Sequence, residues 1–381
     1  MTADTLGGVW TYAMELIRSL EPHHVEVALV ARGREPNREQ REEANALRNC
    51  ELYTLPQKLE WMDDPWHDVE EAQDALRRLV DDVTPDVLHF NDYGAAVAGW
   101  ELPVVLTAHS CVYSWFQAVK GGLPSQEWQP YRNCVRQALE NATVVTAPTK
   151  EMLRGLAVYD ADVQDARVFA NGRSSTAFVR NAQKQPLILA AGRVWDEAKN
   201  LSVLHPAGRK LSWPIYVAGE TEHPSYPEQR EPQTALRCLG NLGPLQMRQV
   251  LAAASIFAHP ARYEPFGLAP LEAALAGCAL VLGDIPSLHE VWGDAALYVP
   301  CDAPEAWCLT LRQLIYDAPR RAEMARRAQA RARRYSAEAF GEAYASLYAE
   351  FPSRESTHEK ASATTFSRAP FVPSPFQPPF G

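Results

Sequence analysis

The chain has 381 residues, with 37 Lys plus Arg against 47 Asp plus Glu, a net charge of −10 near neutrality, and 46% hydrophobic residues. At roughly 100–200 residues per domain this length supplies two domains, each with its own core, and excludes a single small binding module. The acidic balance excludes a chain built mainly to grip a phosphate backbone, which needs a clustered basic face, so no nucleic-acid partner is expected.

In chain order, the first half alternates short apolar runs with longer helical patterns. A helix is predicted over Gly8 to Leu20, a strand over Val25 to Ala31, a helix over Asp68 to Val83, and strands over Asp86 to Phe90 and Pro103 to Thr107. A helix over Gln126 to Asn141, a strand over Thr143 to Ala147, a helix over Thr149 to Tyr159 and a strand over Arg167 to Ala170 follow. Continuous apolar strands separated by helices read as a parallel sheet covered on both faces. The polar stretch Arg180 to Gln185 leads into a second set: Pro186 to Ala191, Pro214 to Ala218, Leu236 to Leu239, Ser255 to His259 and Cys278 to Leu282. The chain is therefore read as α/β, with two successive doubly wound units over 1–181 and 182–351. Ligands are expected at the carboxyl ends of the strands, and so in the cleft between the units. Ala303 to Phe351 reads as helix throughout. Residues 352–381 hold six of the 29 Pro, four Phe and no Leu or Ile, and read as a disordered tail.

Charge is segregated along this pattern. Glu60 to Asp86 carries a net −8, and Arg320 to Arg334, with seven Arg and one Glu, a net +6. The plain reading of both is the solvated face of a surface helix. The sharper reading of the arginine helix is peripheral contact with an anionic membrane or attraction to a phosphorylated acceptor. Seven scattered cysteines, none in a two-residue-spaced pair, indicate reduced thiols and neither a disulfide framework nor a zinc site. No apolar run approaches the ~18 residues of a membrane span. Asp4 and Glu15 stand where a signal peptide would carry basic and apolar stretches, so a cytoplasmic protein is expected.

The most informative segment runs from Tyr263 to Pro300 and opens YEPFGLAPLEAALAG. An apolar strand ends near His259, Pro265 and Gly267 shape a turn, and a helix begins close to Leu268 or Ala269. The amides of Phe266, Gly267 and Leu268 then face an anion from a helix N-terminus. Glu264 and Glu272 flank that cluster, and carboxylates accept charge-assisted hydrogen bonds from sugar hydroxyls. A capping acid and a solvated helix residue are the plain alternatives. The first strand of the same half ends in GRVWDEAKN, where Arg193 and Lys199 are placed to hold a phosphate group. Two such cations can stabilise a diphosphate leaving group, and a surface ion pair is the plain alternative for either.

With these motifs in view, the sequence from about Thr2 to Phe351 resembles glycosyltransferase family 4, retaining enzymes of the GT-B fold, in which two Rossmann-like domains face each other across a cleft. The Glu264 and Glu272 pair within EPFGLAPLE carries the resemblance most strongly, supported by the Arg193 and Lys199 spacing, GDIPSLHEVWGDAALYV and LGNLGPLQMRQVLAAASIFAHP. TADTLGGVWTYAMEL, LEWMDDPW and AHSCVYSW look like a bacterial subgroup. The resemblance implies that Glu272 holds the ribose hydroxyls of a nucleotide sugar. Glu264, with the Phe266, Gly267 and Leu268 amides, contacts the donor sugar, and Arg193 and Lys199 clamp the diphosphate. Gly7 and Gly8 match the glycine loop of the acceptor-side domain, and His109 the histidine that faces the sugar from it. Backbone at Gly240, Asn241 and Leu242 contacts the base. Asp92 either helps bind the acceptor or closes a turn. Asn171 and Gly172 fit the hinge, although Arg173 stands where an aliphatic residue is usual.

The implied reaction keeps the anomeric configuration, passes a sugar to an acceptor hydroxyl (saccharide, lipid-linked or small-molecule), and needs no metal and no cofactor. Only Met1 to Thr5 precede Leu6 and Gly7, too few for a full central strand, so the reading expects a chain start lying upstream or a first domain lacking most of a strand. The alternatives are a GT-B nucleotide-sugar epimerase, which needs no acceptor, and a catalytically silent nucleotide-sugar-binding protein. A phosphorylase is disfavoured by length, and a dinucleotide-dependent oxidoreductase by the missing Gly-x-Gly-x-x-Gly turn.

Overall fold

The structure, a computed structural model, describes residues 1–178, 183–221 and 235–352. The expected domain boundary near residue 182 and the expected tail after residue 352 lie outside the described residues. The first half contains strands β1 (Thr2–Asp4), β2 (Val27–Arg32), β3 (Cys50–Leu55), β4 (Leu88–Phe90), β5 (Val104–Thr107), β6 (Val144–Ala147) and β7 (Ala166–Val168). They pair in parallel as β1-β2-β3 and β4-β5-β6-β7. The second half contains β8 (Gln185–Ala191), β9 (Ile215–Ala218), β10 (Arg237–Gly240), β11 (Ala254–His259), β12 (Ala279–Gly283) and β13 (Leu297–Val299), paired in parallel in the order β10-β9-β8-β11-β12-β13. The order reverses between β8 and β11, which opens a crevice at their carboxyl ends.

The central strands are apolar on both faces because helices cover both. Val144–Ala147 and Ala279–Gly283 are buried at every position. The short β1 is enough to pair with β2, with Thr2 opposite Val30 and Asp4 opposite Arg32. Side chains join it to β4: Asn91 Nδ2 donates to the Thr2 carbonyl at 2.7 Å, and the Asn91 amide donates to Thr2 Oγ1 at 3.0 Å. Two strands escape the sequence reading. CELYTL of β3 is half-exposed and lacks a continuous apolar run, and β13 has only three residues.

The expected continuous helix from Ala303 to Phe351 is three helices, Pro304–Tyr316, Ala318–Ala332 and Ala337–Tyr348. Asp317 and Ser336 cap the second and third by accepting from the Arg320 and Ala339 amides, which starts each helix afresh. The reading also gives this whole stretch to the second unit. Instead, Phe340, Tyr344 and Leu347 of the last helix enter the core of the first half beside Tyr12, Ile17 and Leu29. The chain thus crosses between halves twice, at Asn171 to Ser174 and again at Tyr335 to Ser336, where the Arg173 amide donates to the Tyr335 carbonyl at 3.0 Å. Gly172 permits this crossing, because a methyl group there would lie 2.3 Å from the Ser336 carbonyl oxygen.

Four of the seven arginines from Arg320 to Arg334 are engaged in local structure. Arg321 donates to the Leu314 and Ile315 carbonyls, and Arg331 to the Glu290 and Val291 carbonyls at the end of helix Pro286–Trp292. Arg326 and Arg327 pair with Glu323.

Candidate active site

The loop after β8 is built around Asp196, whose carboxylate accepts from the Ala198 amide at 3.0 Å and pairs with Arg193 at 2.8 Å. Asn200, at φ 53°, anchors the same loop to the end of β11 by donating to the Pro260 carbonyl at 3.0 Å. These contacts bring Lys199 against the loop after β11. Its Nζ lies 2.7 Å from Glu264 Oε2, and His259 Nε2 reaches the same oxygen at 3.1 Å. Burial raises the Glu264 pKa, but Lys199 and His259 outweigh it and hold the carboxyl well below its ordinary range. Burial lowers the His259 pKa, so the imidazole donates to the carboxylate as a neutral ring.

Helix Leu268–Leu275 starts where expected, after Gly267 at φ 94°. Phe266 is buried against the edge of Tyr335, which fixes the turn that directs these amides. Glu272 is half-buried one turn in, and Arg173 Nη2 lies 2.8 Å from its Oε1. Burial raises the Glu272 pKa and Arg173 opposes that rise. The other fork of Arg173 holds Glu15 Oε2 of helix Gly8–Leu20 at 2.7 Å, and the Ser174 amide donates to Glu15 Oε1 at 2.7 Å.

The first half faces this cluster. A methyl group on Gly7 would lie 4.0 Å from Arg193 Nη1, and one on Gly8 3.8 Å from Leu268 Cδ1, so the glycine pair opposes the cation and the helix start. His109 stands at the end of β5, its Nε2 2.7 Å from Asn91 Oδ1 and the Tyr12 ring edge-on at 4.4 Å. Burial depresses its pKa to about 3, which keeps it neutral. Gly240 ends β10 and Asn241 and Leu242 follow it, and the Glu39 carboxylate reaches across to the backbone next to them, 3.1 Å from where a Gly243 methyl group would sit. Tyr263 Oη bonds Ser114 Oγ at 2.8 Å and accepts from the Cys111 amide, Thr149 Oγ1 donates to the Pro265 carbonyl at 2.9 Å, and Glu290 accepts from the Lys150 and Glu151 amides. The two halves are therefore in direct contact around the site.

Comparison with known proteins gives this arrangement its family. Residues 6–175 match the Glycosyltransferase Family 4 description and residues 185–317 match Glycosyl transferases group 1. The chain belongs to glycosyltransferase family 4. Among its relatives, the D-inositol 3-phosphate glycosyltransferase of Corynebacterium glutamicum is 27% identical over 312 residues, covering 70% of this chain and 72% of that one. The phosphatidyl-myo-inositol mannosyltransferase of Mycolicibacterium smegmatis is 26% identical over 270 residues, covering 66% and 67%. Among solved structures, sucrose-phosphate synthase from Thermosynechococcus elongatus superposes with a TM-score of 0.75 at 16% identity, covering 90% of this chain and 93% of that one. HepE from Anabaena in complex with UDP-glucose gives 0.69 at 16% identity, covering 92% and 99%. The fold is GT-B, and this family 4 member is a glycosyltransferase that draws on a nucleotide-sugar donor.

Within this family 4 enzyme the sequence-predicted residues divide into two groups. Arg193, Lys199, Glu264, Glu272, Gly7 and Gly8 converge at the crevice where the sheet order reverses. Asp92 turns inward: it caps the short helix Tyr93–Ala96 by accepting from the Ala95 amide at 2.9 Å, and it lies 3.6 Å from the buried Arg32. The sequence reading assigned no role to Arg173, Glu15 or His259. Arg173 was visible only as a charge at a hinge position where an aliphatic residue is usual. Among the described residues no group of three or more His, Cys, Asp or Glu is arranged to hold a metal ion, and no helix is long and apolar enough to cross a membrane.

Proposed function

We propose that the chain transfers a hexose from a nucleoside-diphosphate sugar to an acceptor hydroxyl with retention of configuration and without a metal. The observation that carries this reading is the convergence of Lys199, Glu264 and the start of helix Leu268–Leu275 beside Arg193, directly opposite Gly7 and Gly8. Arg193, the more open of the two cations with 41% of its side chain exposed, and Lys199 hold the diphosphate and neutralise the charge that develops on it as the glycosidic bond to the donor breaks. The acceptor oxygen bonds to the anomeric carbon on the face the diphosphate leaves, and its proton passes to the leaving phosphate oxygen. Glu264, ionised because Lys199 and His259 face it, accepts hydrogen bonds from the donor sugar while the Phe266, Gly267 and Leu268 amides donate to it. Neutral His109 meets the sugar from the acceptor side, Glu272 takes the ribose diol, and backbone at Gly240 to Leu242 faces the base.

The acceptor binds at the carboxyl ends of the first-half strands. The two bacterial relatives named above act on inositol-bearing acceptors by their descriptions, so a cyclic polyol is the first acceptor to try. The test is a panel of UDP-, GDP- and ADP-sugars scored by thermal shift, since a bound donor raises the melting temperature by mass action, followed by nucleotide release with and without inositol phosphates. Acceptor-dependent release that Arg193→Met and Lys199→Met abolish supports a transferase. Release without any acceptor points to an epimerase or hydrolase, and donor binding without release to a silent binding protein.

A further inference from the structure

Arg173 is the side chain in the site whose chemistry the transfer reaction itself does not use. Its guanidinium pairs with two carboxylates from opposite halves, Glu15 of helix Gly8–Leu20 and Glu272 of helix Leu268–Leu275, at 2.7 and 2.8 Å. A planar fork holds two carboxylates in fixed directions, where a lysine offers rotatable donors on a point charge. The base of this fork is fixed, because Arg173 sits at the crossing of the two interdomain segments, its amide on the Tyr335 carbonyl and its backbone bridged to Ser336. Glu15 is fixed too: it is 3% exposed and also holds the Ser174 amide. Glu272 is thus pinned through one oxygen, Oε1, while Oε2 has no hydrogen-bond donor among the described residues.

We propose that Arg173 is a positioning residue for donor recognition: by holding Oε1 of Glu272 it presents Oε2 to the ribose diol and sets the enzyme's preference for ribonucleotide over 2′-deoxyribonucleotide donors. The inference rests on the reading that Glu272 takes the ribose. Without Arg173, Glu15 keeps Arg18 at 3.3 Å while Glu272 loses the ion pair that opposes the effect of burial and of Glu15 on it, and Glu272 either turns away or takes up a proton, losing its directed acceptance of the 2′-hydroxyl. Because Arg173 also holds Glu15, the same contact ties donor recognition to the helix that begins at the Gly7–Gly8 loop.

The test is calorimetric binding of UDP, GDP and ADP to the full chain, taking the tightest of the three together with its 2′-deoxy counterpart. The wild type is expected to favour the ribonucleotide by about tenfold, the size of one hydrogen bond to a charged group. Glu272→Ala and Arg173→Met should each bring the two affinities together, and Arg173→Lys, which keeps the charge but not the fork, should recover only part of the preference. If Glu272→Ala removes the preference while Arg173→Met or Arg173→Lys keeps all of it, the inference is overturned and the reading of Glu272 stands. If Glu272→Ala leaves the preference intact, or the wild type shows none, the reading of Glu272 fails and the inference falls with it. Melting curves monitor folding, and should Arg173→Met not fold, Arg173→Lys decides the matter alone.

Discussion

Lys199 Nζ and Glu264 Oε2, 65 residues apart in sequence, meet at 2.7 Å at the carboxyl ends of β8 and β11. The pair links the cation assigned to the diphosphate with the carboxylate assigned to the sugar, so each fixes the other's position before the donor arrives. It also determines the state of Glu264, which His259 alone would hold less firmly.

Replacing Glu264 with Gln keeps the shape and removes the charge. Turnover should fall by about a hundredfold, the scale for losing one preorganised electrostatic contact, with the melting temperature at neutral pH lowered. Because the folded pKa of Glu264 lies below its unfolded value of 4.5, the stability it contributes is present above pH 4.5 and is lost as pH falls below that value. Melting curves across the acid range should be flatter for the Gln variant, and identical acid profiles for both proteins would contradict the assignment.

Asp4, at the end of β1, behaves in the opposite sense. Burial raises its pKa from 3.8 to about 7, with Asp92 adding to the rise and Arg193 and Arg34 opposing it. A raised folded pKa contributes stability below the unfolded value that is lost as pH climbs toward 7. Asp4→Asn can still accept from the Leu6 amide, so it should melt above the wild type at pH 8 and close to it near pH 4. A constant difference across that range would show that Asp4 does not titrate there.

Tyr263 holds the halves together through Ser114 and Cys111. Tyr263→Phe removes both bonds while keeping the ring. The expected outcome is a larger radius of gyration by solution scattering and a several-fold lower kcat/KM for donor, with little change in melting temperature. An unchanged scattering curve would mean the other cross-cleft contacts suffice.

The last helix should behave as part of the first domain. Phe340 is 2% exposed and packs edge-on against Tyr12 and Tyr344, so Phe340→Ala should destabilise by about 3–5 kcal/mol. Hydrogen exchange should then rise in helix Gly8–Leu20 before it rises in β11 or β12. Exchange rising first in the second half would place the helix energetically with that half.

What could be read from the sequence follows from local rules. Apolar runs bounded by turns marked most of the parallel strands, and EPFGLAPLE showed a strand-to-helix turn with a carboxylate on each side because Pro265, Gly267 and the spacing of Glu264 and Glu272 are local features. GRVWDEAKN likewise placed Arg193 and Lys199 at the end of a strand, and the glycine pair needed no partner to be noticed. β3 and β13 were missed because a half-exposed or three-residue edge strand has no apolar run of its own.

The sequence by itself therefore determined the two doubly wound units, the family, and which charged residues lie at strand ends. Only the tertiary structure decided how those charges pair and to which half the last helix belongs. An amphipathic helix declares that it must bury one face but not against what, and Ala337–Tyr348 found that surface in the first domain, beside Tyr12. In the same way Arg173 announces a charge at a hinge, while its two partners, Glu15 and Glu272, come from opposite halves, and Coulomb energy depends on separations in space that sequence spacing does not encode.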